Sequence, residues 1–209
     1  MKYNIIMRTK TIFSISFLIL SIFHFSCGNS KNEINKSTNV STVVQNKEFK
    51  TVKIGNQVWM SENLNIPTDT GSFAYNYDDS KGKIFGRLYN WETAKKICPK
   101  GWRLPTIEDY YELFKFYGTY DVVGGKLKST KYWTEPSVGN ADSNSFNALP
   151  AGFCNGDSFF GENVSTKFWT ATEQPTDHAA YIELEINTFE VKDDFHHKRY
   201  ALSVRYIKE

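Results

Sequence analysis

Several groups of side chains in this chain have types and spacings that could do chemistry. His178 follows Asp177 and lies near Glu173, the makings of an acid/base set. No serine or cysteine nucleophile sits in a recognisable elbow around it, so the residues read as a surface loop. His196-His197 beside Asp193 and Asp194 suggests a metal site. Neighbours on a strand point to opposite faces and cannot chelate together, so this stretch reads as a hairpin turn with solvated side chains. Glu183 and Glu185 share a strand face opposite Ile182, Leu184 and Ile186. They read as a solvated face rather than a glycosidase dyad.

Two further groups concern ligands. Asn140, Asp142 and Asn144 are oxygen-rich, and calcium takes about six to eight oxygens. The competing reading is a solvated polar loop, so no metal is assigned and no other cofactor is required. Tyr132 and Trp133 offer rings on which a sugar could stack, unless the loop pins them into the core. With Asp142 and Asn144 they are the candidate ligand-binding residues, in a loop region from about Thr130 to Thr166. Trp59, Trp91, Trp102 and Trp169 each sit in an apolar pattern and are expected in the core.

The cysteines are Cys27, Cys98 and Cys154. Lys2, Arg8 and Lys10 precede an apolar run from Thr11 to Phe25, short of the about 20 residues that span a membrane. This reads as a signal peptide over 1–26. Ser26-Cys27-Gly28 and a polar tail resemble a lipoprotein cleavage site, with Cys27 the acylated first mature residue. His24 and Phe25 depart from the usual aliphatic and small residues there. Acyl chains such as palmitate would anchor the protein at about 0.8 kcal/mol per buried methylene. The envelope is the expected location, more narrowly the outer membrane, with the facing side open. An exported protein allows a Cys98–Cys154 disulfide, worth roughly 4 kcal/mol by chain entropy. Two separate buried thiols are the alternative. No Cys/His group has zinc spacing.

The whole chain carries a formal charge of +2. Of its 25 basic residues three leave with the leader, so 22 face 23 acidic ones and the mature charge is −1. No basic field for nucleic acid remains. Residues 27–48 are rich in Asn, Ser, Thr and Lys and read as a flexible tether. Residues 49–209 are long and aromatic enough for one cored domain.

Within it, Phe49–Ile54 and Gln57–Met60 predict a hairpin about Gly55-Asn56. Pro67, Gly71, Asp78, Asp79, Ser80, Gly82 and Gly86 punctuate an irregular region, where Phe73, Tyr75 and Tyr77 alternate as a short strand. Leu88–Ile97 has helical spacing through Leu88, Trp91, Ala94 and Ile97. A second helix runs from Ile107 to Tyr117, capped by Thr106 with Asp109 returning the bond and ended by Gly118. Beyond Val122 short strands and long loops are expected, with strands at Phe146–Phe153, Lys167–Ala171, Ala179–Ile186, Thr188–Val191 and Ala201–Ile207. Two early helices followed by antiparallel strands predict an α+β domain.

Six ordered motifs carry a resemblance. They are Val52–Asn65 (VKIGNQVWMSENLN), Leu88–Trp91 (LYNW), Cys98–Thr106 (CPKGWRLPT), Phe146–Gly152 (FNALPAG), Phe168–Thr172 (FWTAT) and Ser203-Val204-Arg205. The chain resembles the Fibrobacter succinogenes major paralogous domain (FISUMP), a module of envelope and lipoprotein-like chains of Bacteroidetes-type bacteria. That family commonly has a cysteine directly after Ser-Val-Arg, where Tyr206 stands here. The resemblance leaves Cys154 as a substitute partner for Cys98. More distantly, Arg103–Thr106 and the helix after it are similar to the formylglycine-generating enzymes, which implies a C-type-lectin-like fold. Those enzymes need a cysteine pair near the chain end, and no cysteine follows Cys154. Sugar-binding lectins hold calcium with Glu-Pro-Asn or Gln-Pro-Asp. Glu135-Pro136-Ser137 and Gln174-Pro175-Thr176-Asp177 match neither.

The expectation is therefore a lipid-anchored envelope protein with a non-enzymatic binding module, its partner a glycan or an envelope protein. An envelope hydrolase using Asp177 and His178 on glycans or peptides, and a structural assembly component, are the other classes.

Overall fold

A computed structural model of the chain describes residue 44, residues 47–134 and residues 146–209. The targeting segment, Cys27, most of the tether, Glu135-Pro136-Ser137, Asn140, Asp142 and Asn144 lie outside the described residues. Among the described residues no helix is long and apolar enough to cross a membrane.

Alternating apolar and polar residues form β1 (Thr51–Ile54) and β2 (Gln57–Met60), which pair antiparallel from Thr51↔Met60 to Ile54↔Gln57. Gly55 turns the hairpin at φ +58°, a conformation that costs glycine little. The region expected to be irregular holds β3 (Ser72–Phe73), a 3-10 turn at Tyr75–Tyr77 and a helix, α1 (Asp79–Phe85). Tyr75 and Tyr77 are thus not strand residues. The polar punctuation here is helix capping: Asp78 accepts from the Ser80 amide, and Gly86 ends the helix at φ +78°.

The helix expected from Leu88 divides. β4 (Leu88–Asn90) pairs with β3, and α2 (Trp91–Lys96) begins only where the Asn90 side chain accepts from the Thr93 amide. β5 (Trp102–Arg103) leads to α3 (Ile107–Tyr117), which has the expected Thr106/Asp109 capping box. Then comes α4 (Tyr120–Leu127), in a stretch expected to lack helices. The Gly124 amide donates to Phe189 O at 2.7 Å, and a Cβ at Gly124 would lie 2.5 Å from that oxygen. Close approach of the helix to the loop backbone at Phe189-Glu190 explains this glycine.

β6 (Ala151–Cys154), β7 (Phe159–Glu162), β8 (Ser165–Glu173), β9 (His178–Glu185), β10 (Val191–His197), β11 (Ala201–Leu202) and β12 (Ile207–Lys208) follow. One sheet has the order β1-β2-β12-β5, so the last strand lies beside the first hairpin. The other has the order β10-β9-β8-β6-β11-β4-β3, with β7 on β6. The architecture is a mixed, largely antiparallel α+β fold.

β8 and β9 lie between two apolar layers. Trp169 and Tyr181 face a cluster with Tyr89, Trp91 and Tyr206. Phe168 and Ile182, one residue away on each strand, face Trp59, Tyr110, Phe114 and Phe146. This is the two-residue period of a strand covered on both sides. Trp59, Trp91 and Trp169 are buried, with each indole N–H satisfied by Gln57, the Thr170 carbonyl and the Tyr89 carbonyl respectively. Trp102 is half-buried against Phe49.

Candidate functional site

A cavity of about 530 Å³ opens where segments distant in sequence meet. Residues 47–50 and 60–65 form one side, the C-terminal turn of α1 a second, and Lys131-Tyr132 with Asn147 a third. Arg205 lies at its floor.

Backbone pairing places that arginine. The Met60 amide donates to Tyr206 O and the Leu64 amide to Val204 O, which holds 204–206 extended against 60–64. Val204 and Tyr206 enter one apolar cluster. Arg205 instead stacks on Phe146 at 4.3 Å and Phe168 at 5.6 Å. It is 1% exposed. Its Nε donates to Asn63 Oδ1 at 2.8 Å, and its terminal nitrogens donate to the carbonyls of Phe146 and Asn147. Asn63 Nδ2 donates in turn to Phe85 O at 2.8 Å, fixing the amide's orientation. Burial lowers the Arg205 pKa to about 10, so it stays a cation at neutral pH.

Gly86 lets α1 close the wall. A Cβ there would lie 2.6 Å from Asn63 Cβ and 2.9 Å from Leu64 O. Tyr132, at φ +69° and 50% exposed, meets the Phe85 ring edge-on at 5.4 Å. A non-glycine residue at positive φ stores strain, and such strain gathers at ligand clamps.

The structure separates the two ring candidates. Trp133 is no exposed platform: it is 6% exposed, packs in the Trp59 cluster and donates to Ala148 O at 3.2 Å. Its indole is satisfied inside the domain, so the loop is pinned by Trp133 and only Tyr132 reaches the cavity.

Cys98 and Cys154 are not joined; they are the separate thiols of the other alternative. Cys98 Sγ donates to Trp102 O at 3.2 Å, while Cys154 lies in a different cluster with Tyr75 and Phe85. Burial pushes the Cys98 thiol up to about 12 and raises Cys154 as well. Neither has the thiolate character that nucleophilic or redox chemistry requires.

His196 and His197 are not in a turn but in β10. Glu183 is not solvated: it lies opposite Lys167 across β8 and β9, with the ammonium 3.3 Å away. Lys167 Nζ also donates to His196 Nε2 at 2.9 Å, and the His196 ring stacks on Tyr181 at 4.2 Å. Burial, reinforced by Lys167, lowers His196 to about 4. Glu185 binds Lys192 at 2.6 Å on the exposed side. Glu173 is held by Lys198 at 2.6 Å and Lys95 at 3.9 Å, and His178 meets Thr176 and the His197 ring instead. Glu173 and His178 are therefore engaged with other groups rather than with each other. Among the described residues, no group of three or more His, Cys, Asp and Glu is placed to hold a metal.

The sequence reading did not single out Arg205, Asn63, Lys83 or Asn147 as site residues. The available signal was an arginine inside the apolar run Ala201–Ile207, which must find buried partners.

No curated protein and no solved structure matches this chain. The family model described as Fibrobacter succinogenes major domain (Fib_succ_major) matches residues 52–208, from β1 to β12 and including the cavity's Asn63, Tyr132 and Arg205. The chain belongs to the Fibrobacter succinogenes major domain family.

Proposed function

We propose that this chain is a lipid-anchored envelope protein whose domain, residues 49–209, binds a small polar ligand in the cavity above Arg205 without chemically changing it. In this reading residues 1–26 direct export, Cys27 carries the acyl chains, and residues 27–48 hold the domain off the membrane, most simply the outer one. The domain is C-type-lectin-like in this reading. The lateral pairing of β2 with β12 supports it, because it brings both ends of the domain into one sheet.

The observation that carries the binding reading is the cavity itself. It falls in the size range of ligand sites, about 300–1,000 Å³, and joins a fixed polar floor to a half-exposed tyrosine ring. The non-catalytic reading is supported by Glu173 and Glu183, which are held in ion pairs away from the cavity, and by Glu62 at the cavity, which is held by Lys50. Binding of the mature protein to immobilised envelope saccharides, compared between wild type and Tyr132→Ala, tests the placement. The expected result is a loss of binding with an unchanged melting temperature. Full retention would move the site elsewhere. The intact mass of the membrane-extracted protein tests the anchor: acylation at Cys27 adds fatty-acid mass to a chain that begins there.

A further inference from the structure

We infer that the cavity selects a sugar unit carrying a negative charge, an inference that rests on the binding reading above. Arg205 is a buried cation, and its partners are all neutral: one amide oxygen and two carbonyls. Buried charges generally carry a counter-charge, as Lys167 does with Glu183. Among the described residues Arg205 makes no salt bridge, the nearby carboxylate of Glu62 being paired with Lys50, and Arg205 lines the cavity from below.

The rim has the same sign. Lys47, Lys50, Lys83 and Lys131 line it against Glu48 and Glu62, and Glu62 is spent on Lys50 at 2.7 Å. The described lining therefore holds an excess of positive charge, although the mature chain as a whole is slightly acidic. A concave site with one sign of charge focuses its field on an incoming ligand. Tyr132 supplies an apolar ring face beside that field, and Asn65 and Asn147 supply amides. A carboxylated pyranose fits this set: carboxylate toward the lysines and Arg205, ring face on Tyr132, hydroxyls on the amides. A bare inorganic anion would use the charge and leave the ring unused.

The test titrates the full mature protein, by NMR, with methyl glucuronide and with methyl glucoside, which differ at C6 in carboxylate against hydroxymethyl. Inorganic phosphate is the third arm. The inference expects the glucuronide to bind about tenfold more tightly than the glucoside, with that advantage shrinking at high salt. The double variant Lys83→Met/Lys131→Met should lose about 5–10-fold for the glucuronide and at most about twofold for the glucoside, because both side chains are exposed on the rim and contribute mainly charge. Tyr132→Ala should weaken both sugars alike. Equal binding of the two sugars overturns the charge inference and leaves the binding reading standing. Phosphate as tight as the glucuronide overturns the sugar part. Binding of none of the three overturns both.

Discussion

Replacing Lys167 with methionine isolates the buried ion pair on the β8–β9 face. Lys167 and Glu183 side chains are only 7% and 11% exposed, and their charged atoms are 3.3 Å apart. At an effective dielectric constant of about 20, that separation gives an attraction of about 5 kcal/mol before the cost of desolvating both groups. Methionine keeps most of the stem that lies over the Phe153 and Tyr181 rings but removes the ammonium. Glu183 then remains largely buried without its cation, and breaking a buried pair in this way costs about 3–5 kcal/mol. Its residual exposure places the expected loss near the lower end, about 3 kcal/mol at pH 7. Adding Glu183→Leu removes the stranded carboxylate and should return the double variant to within about 1 kcal/mol of wild type. Urea unfolding of the wild type, both single variants and the double variant, with an unchanged m-value, measures the coupling. A Lys167→Met cost below about 1 kcal/mol, or a double variant as unstable as the two singles combined, would refute the reasoning.

Acid should destabilise the fold through His196. The unfolded imidazole takes a proton near pH 6.5, and the folded one only near pH 4, so between these values the unfolded state holds more protons and stability falls as pH falls. After discounting for the ring's partial exposure the loss is about 1–2 kcal/mol across that window; His196→Gln should flatten it, and an unchanged acid slope in that variant would remove His196 from the account. Trp133→Ala should cost about 3–5 kcal/mol, and Tyr132→Ala under about 1 kcal/mol, in the same unfolding assay. Comparable losses at both positions would contradict the division between anchor and cavity wall. Cys98 and Cys154 should alkylate only after denaturation, and reductant should leave the melting temperature unchanged; a reductant-sensitive melt would mean that the thiols bond.

The sequence was legible where local chemistry decided the structure. The Thr106/Asp109 capping box, the Gly55-Asn56 hairpin and the alternation of Ile182 and Leu184 against Glu183 each specify their element within a few residues. It misled where a residue's local preference served a tertiary purpose. Asp78 and Gly86 looked like loop punctuation and are helix caps. The stretch beyond Val122 read as strands and loops, yet α4 runs through it, with Gly124 at the point where the helix meets the Phe189 backbone. Leu88 completed a helical stripe by coincidence of spacing, while its backbone pairs with β3. Of the ligand candidates, Tyr132 was visible as an aromatic in a polar loop. Arg205 and Asn63 are 142 residues apart, and no periodic pattern joins them; only the pairing of 204–206 with 60–64 does. For the same reason Glu183 looked solvated until β8 placed Lys167 across from it.

The most direct measurement is the NMR chemical-shift map of the mature protein saturated with methyl glucuronide. The account predicts that the largest backbone and side-chain shifts gather on Asn63, Lys83, Lys131, Tyr132, Asn147 and Arg205. Shifts centred instead on Glu173, His178 and His197, or spread thinly over the surface, would contradict it.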